Sequence, residues 1–167
     1  MPVKSRIILG VDPGFSRLGI ALIKKEIKET LLHSECFETD AKEEHSNRLL
    51  AIMNRVEDVI KTWRPDILAI EKLFFNKNIT TALKVAEARG VIMSLCKNYG
   101  LEVVEYNPLE IKSAVAGYGK ATKQQMIAMV PKLIKIDRKI KYDDEYDAIA
   151  IALTACAIQR PKISSYN

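Results

Sequence analysis

The sequence predicts an α/β protein built on one mixed five-stranded sheet, a three-strand antiparallel meander plus two parallel strands, flanked by helices. Three strand-like segments near residues 6–12, 18–24 and 30–39 follow one another through short connections, the pattern of a meander. Two further strands, at 67–71 and 101–106, alternate with segments of helical periodicity. Ile7-Ile8-Leu9-Gly10-Val11 and Ile67-Leu68-Ala69-Ile70 are unbroken apolar runs, as expected of strands buried on both faces.

Taken in order, the first strand ends at Asp12 and turns at Pro13-Gly14. In the third strand Leu31, His33, Glu35 and Phe37 alternate with Leu32, Ser34 and Cys36. A helix over about 46–63 is marked by Leu49, Leu50, Met53, Val56, Val59, Ile60 and Trp63, and Arg64-Pro65 ends it. A second helix, about 78–98, is stopped by Asn98 and Gly100. After Pro108 come a short helical piece, the loop Gly117-Tyr118-Gly119-Lys120 and a helix opening at Thr122, where Thr122-x-x-Gln125 fits a capping box. Pro131 is expected to kink or break that helix. The last helix is expected over 144–159, giving a single domain across 1–167.

A hydrophobic share of 48% and a charged share of 28% are those of a soluble globular chain. No stretch approaches the ~20 apolar residues of a membrane span, and the start MPVKSR lacks the apolar centre of a signal peptide. Cys36, Cys96 and Cys156 are odd in number and widely spaced among apolar neighbours, which points to reduced core thiols and a cytoplasmic protein. The net charge of +5 suits a polyanionic partner, and its distribution is uneven. Eight bases against one acid fall between Lys112 and Lys141, whereas nine acids against four bases fall between Glu26 and Asp58.

Four acids stand where acids are costly. Asp12 and Glu71 each close an apolar strand, while Asp144 and Asp147 open the apolar helix Ala148-Ile149-Ala150-Ile151-Ala152-Leu153. Singly, each has an ordinary explanation: a turn residue, a solvated strand end, or acids favoured by a helix N-terminus. Together they do not. Sites in such sheets form outside the carboxyl ends of adjacent strands, and the i, i+3 spacing puts Asp144 and Asp147 on one helix face. Four converging carboxylates repel one another unless cations neutralise them, and an all-oxygen cage suits Mg²⁺ or Mn²⁺. Asp143 and Glu145 flank Asp144, so the first ligand of that cluster stays open among the three.

Gly10-Val11-Asp12-Pro13-Gly14 with Gly19, Ala69-Ile70-Glu71 with Phe74, and Asp144-x-x-Asp147-Ala148-Ile149-Ala150 together resemble the RuvC-type Holliday-junction resolvases of the RNase H-like superfamily. The likeness runs in order along essentially the whole chain, including Asn107-Pro108, Lys112, Gly117-Tyr118-Gly119 and Lys123. It implies an RNase H-like fold and a crossover junction endodeoxyribonuclease in which Asp12, Glu71, Asp144 and Asp147 are catalytic metal ligands. It further implies that Phe74 stacks on a base at the crossover and that Lys112 and Lys123 lie near the scissile phosphate and junction backbone. Two Mg²⁺ ions per subunit (Mn²⁺ substituting), four-way junction DNA, a homodimer and a branch-migration helicase complete the expectation. A twofold substrate fits a dimer, expected on the 78–98 helix at Ala82, Ala86, Arg89, Gly90 and Met93. A sugar kinase or actin-like ATPase shares the opening Asp-x-Gly but needs a duplicated domain, and a catalytically silent DNA-binding module would have no use for four acids beside DNA.

Overall fold

The computed structural model describes residues 5–73 and 79–158. Strands β1 (Arg6–Asp12), β2 (Arg17–Lys25) and β3 (Glu29–Glu38) form the antiparallel meander. After α1 (His45–Trp63), β4 (Ile67–Glu71) pairs parallel with β1, and after α2 (Ile79–Asn98), β5 (Glu102–Tyr106) pairs parallel with β4. The sheet order is β3-β2-β1-β4-β5, as the meander and the alternation of helices with strands require.

The strand period of two sorts the side chains into two cores. Leu9, Val11, Ile20, Leu22, Leu68 and Ile70 face α1 and α2 and pack with Ile52, Val56, Ala88 and Ile92. Ile8, Ala21, Ile23, Ile67 and Ala69 face the other way, towards α3 (Pro108–Ala116), α4 (Lys123–Leu133) and α5 (Asp143–Ile158). α5 is buried along nearly its whole length, from Ala148 to Cys156, because it lies across the middle of the sheet against β1 and β2.

Local signals account for most boundaries. α1 stops at Arg64, which adopts a left-handed conformation (φ 49°) ahead of Pro65. The capping box at Thr122 and Gln125 is formed in both directions, and Asn107 with Glu110 forms a second one at the start of α3. Pro131 does not break α4 at its own position: the helix runs through it to Leu133 and ends at Ile134. A proline in the last turn forfeits one backbone bond, so its cost there is small. Cys36, Cys96 and Cys156 are free thiols, and burial pushes Cys96 and Cys156 up to about 12. Among the described residues no helix is long and apolar enough to cross a membrane.

Candidate active site

The alternation that sends Ile8 and Gly10 towards α5 also sends Asp12 there, and Ile67 and Ala69 set Glu71 on the same face. β1 and β4 run parallel with Val11 beside Ile70, so the two carboxylates emerge one step further along, side by side at the C-terminal ends of the central strands. Across the antiparallel ladder Asp12 faces Gly19.

That glycine and Gly10 are what let α5 come close enough to complete the cluster. A Cβ on Gly19 would lie 1.9 Å from the backbone oxygen of Asp144, and one on Gly10 would lie 2.4 Å from the backbone oxygen of Ala148. The helix therefore rests its first two turns directly on the sheet backbone. Asp144 and Asp147, half-buried, are carried over the strand ends with it.

Electrostatics confirms that the four acids share one environment. Burial, then the charges of Asp147, Glu71 and Asp144, push the Asp12 carboxyl up to about 8, with Lys123 pulling weakly the other way. Glu71 is raised by burial and by Asp147, against Lys123 and Lys112. Asp147 is raised by burial despite a hydrogen bond donated by Lys123 Nζ at 2.9 Å. Lys123 also stands 3.8 Å from Asp143. Glu71, Lys112, Lys123 and Asp147 line a cavity of about 280 Å³ floored by Ile111, Met126 and Ile151. Asp12 and Glu71 share an adjoining hollow of about 240 Å³.

The three candidate acids at the head of α5 separate cleanly in space. Asp144 lies near Asp12 and takes an ion pair from Arg17 Nε at 3.5 Å. Asp143 is exposed on the outer side of Lys123. Glu145 turns away to β3, buried, where it accepts a hydrogen bond from Ser34 Oγ at 2.6 Å and pairs with Arg138. Phe74 lies outside the described residues.

Arg17–Asp144 and Ser34–Glu145 are pairs more than a hundred residues apart that leave no local pattern, whereas Arg138 stands only seven residues before Glu145. Arg89 has a role different from the interface expected of it. It donates to the backbone oxygen of Glu71 at 3.1 Å and pairs with Glu105, tying the end of β4 to β5. Met93 is likewise partly buried against the core.

Among the described residues no three His, Cys, Asp or Glu side chains are already drawn into a metal-holding group. The donor chemistry nevertheless fits a hard cation: oxygen ligands alone, half-buried, with Asp12, Glu71 and Asp147 raised in pKa by burial and then by neighbouring carboxylates, and an ammonium standing among them as partial neutraliser.

Five strands in this order, helices on both faces and acids converging at the C-terminal ends of the central strands define an RNase H-like α/β protein. A model of the family described as crossover junction endodeoxyribonuclease RuvC matches residues 8–155. The chain belongs to that family. Relatives bearing the same name come from Caldanaerobacter subterraneus subsp. tengcongensis (41% identical over 150 residues, 89% of this chain and 91% of that protein) and Rickettsia akari (42% over 157 residues, 93% and 99%). Thermus thermophilus RuvC, solved in complex with a Holliday junction substrate, superposes with a TM-score of 0.85 at 32% identity, covering 91% of this chain and 93% of that one. The yeast mitochondrial Holliday junction resolvase Ydc2 shares the fold at a TM-score of 0.70, with 14% identity and 90% and 77% coverage.

Proposed function

We propose that the protein is a divalent-cation-dependent endonuclease that resolves four-way DNA junctions by paired symmetric nicks in recombination and repair, leaving 5′-phosphate and 3′-hydroxyl ends. The observation that carries this reading is the convergence of Asp12, Glu71, Asp144 and Asp147 on one face, with Lys112 and Lys123 at the lip of the same hollow. Family membership and the named activity of the relatives support it.

Asp12, Glu71, Asp144 and Asp147 would hold two Mg²⁺ ions, with Mn²⁺ substituting. When bound, these supply the Lewis acidity that activates an attacking water and neutralises charge growing on the phosphate. Asp12 is central because the other three acids all act on it. Glu71, between the two hollows, links the cation site to the cavity where Lys112 and Lys123 meet a phosphate oxygen. Lys123 holds Asp147 in the free protein and would stand beside a phosphate bound in the cavity it shares with Lys112. Asp144, not Asp143 or Glu145, completes the set, since Glu145 is committed to β3 and Asp143 lies outside the cluster around Asp12.

Two nicks related by a twofold axis call for a homodimer. On α2 the exposed stripe is Ile79, Leu83 and Gly90, with open space around Gly90, and Leu50 is exposed on neighbouring α1. That stripe, which includes Gly90, is part of the proposed interface. Phe74 keeps its proposed stacking role at the crossover, and a branch-migration helicase remains the expected partner.

Nicking of four-way, duplex and flap substrates with and without Mg²⁺ tests the reading. Cleavage confined to the four-way junction and dependent on the cation is expected. Asp12→Asn should bind the junction as the parent does and fail to cut it, and robust nicking by that variant would refute the cation assignment.

A further inference from the structure

The segment between α4 and α5, residues 134–142, is pinned to the free edge of the sheet at three points. Ile134 and Ile140 are buried in the core beneath it, and Ile136 is partly so. Arg138 reaches Ser34 on β3 and the buried carboxylate of Glu145. With the isoleucines turned in, Lys135, Arg138, Lys139 and Lys141 are left on the outer surface. There they line, with β3, an open cavity of about 650 Å³.

The charges are not equally available. Lys135 is held by Asp137 at 2.9 Å and Arg138 by Glu145, whereas Lys139 and Lys141 have no carboxylate partner within ion-pair distance among the described residues. Lys141 stands 4.5 Å from the centre of the Tyr142 ring, and Arg17 stands 5.1 Å from the same ring. Arg17 in turn pairs with Asp144. A continuous row of cations therefore leads from the catalytic acids, across one tyrosine ring, to the basic rim of the cavity on β3.

Resting on the nuclease reading above, we propose that this rim is a track for the phosphate backbone of one duplex arm of the junction as it leaves the site, with Lys139 and Lys141 as its contacts. Three observations favour a polyanion over a solvated lysine face. The loop is anchored from below by buried isoleucines and by the Arg138–Glu145 pair, so its lysines project outward from a packed stretch of backbone. Lys139 and Lys141, which no carboxylate holds, border the same cavity, and Lys141 adjoins the row that runs into the site. The acids bordering the cavity, Glu35, Asp137 and Glu145, are each already paired with a cation. Backbone contacts of this kind orient a duplex without reading its sequence.

Each phosphate contact contributes about 0.9 to the slope of log affinity against log salt. Binding of a labelled four-way junction and of a labelled duplex, measured in Ca²⁺ over about 50 to 200 mM salt, should give Lys139→Gln/Lys141→Gln a shallower slope than the parent by about 1 to 2. Lys139→Arg/Lys141→Arg should restore the parent slope, which separates charge from any change in folding. Trimming the junction arms to short stubs should erase the difference between parent and glutamine variant. An unchanged slope for the glutamine variant, or a slope change that survives arm trimming, would overturn the track. A parent that binds duplex as well as junction would count against resolvase specificity instead, and the duplex slope would still decide this proposal.

Discussion

Two carboxylates one residue apart, Asp144 and Glu145, are treated in opposite ways by the same helix turn. Glu145 is buried and fully served: a serine hydroxyl donates to it, and a guanidinium pairs with it. Asp144 is half-buried among three other acids, with one loosely held arginine at 3.5 Å for compensation. The fold evidently can satisfy a buried acid at this point in the chain, and it does so on the β3 side while leaving the β1–β4 side in excess negative charge. Buried charge without compensation is costly to stability, so the asymmetry marks the second side as a place where a cation is expected to bind.

The largest effect that would test this contrast is at Asp12. Its carboxyl is held up to about 8 in the folded chain against 3.8 ordinarily. The folded protein therefore binds this proton more tightly than the unfolded one, and the associated stability is full below about pH 4 and lost as pH rises through about 8. Without divalent cations the protein should lose stability across that window. Asp12→Asn should flatten the loss and be more stable than the parent at pH 8, by something on the order of 3 kcal/mol, while cleavage falls roughly a thousandfold. Parallel stability curves for the two proteins in urea titrations at several pH values would show that Asp12 is not under electrostatic stress.

Next in size is Gly19→Ala, which leaves every charge in place and disturbs position alone. The added methyl would meet the Asp144 backbone oxygen at 1.9 Å, and backbone cannot swing aside as a side chain can. Lifting the head of α5 should cost about 1–3 kcal/mol or more by overpacking, and displacing Asp144 and Asp147 should lower cleavage by about a hundredfold. Calorimetry with single-turnover cleavage on the same sample measures both, and unaltered cleavage in a destabilised variant would show that the close contact serves packing alone.

How far these features could be read in the chain follows from how local they are. The five strands and the capping box at Thr122 are written in runs and short spacings, and the structure bears them out. Asp12 and Glu71 share a face because each sits an even number of residues from buried positions of its own strand, which is also a local matter. The choice among Asp143, Asp144 and Glu145 is not: it depends on Ser34 and Arg138, brought to Glu145 from β3 and from a loop. Arg17 is hidden for the same reason, being 127 residues from the acid it pairs with. Arg89 carried a real signal, a long cation beside small residues, but its neighbours Glu71 and Glu105 come from two other elements.

Glu145→Ala probes the satisfied side. It removes the acceptor of the Ser34 hydroxyl and the carboxylate of the half-exposed Arg138, which keeps its bonds to Ser34, so the cost should be near 2 kcal/mol, below that of a wholly buried broken pair. Its sign is opposite to that of Asp12→Asn at pH 8, and cleavage should change by no more than a few-fold. Denaturant unfolding of the two variants side by side measures the opposition directly. A gain in stability from Glu145→Ala would mean that the latch is no better satisfied than the four clustered acids, and the contrast would dissolve.

The smallest effect is expected at Arg17, and its size is informative because it is small. The pair with Asp144 is long, and the arginine side chain is about half exposed at 48%, so Arg17→Met should alter stability by less than about 1 kcal/mol. What it should change is competition. Arg17 and a divalent cation both neutralise Asp144, and removing the arginine leaves the carboxylate to the metal. The Mg²⁺ concentration giving half-maximal stabilisation against heat should therefore fall two- to three-fold, a few tenths of a kcal/mol, as suits an exposed ion pair. A rise would mean that the arginine holds Asp144 in its ligating position. Asp144 would then resemble Glu145 in depending on its cation partner, with the difference between the two sides of the turn being one of degree.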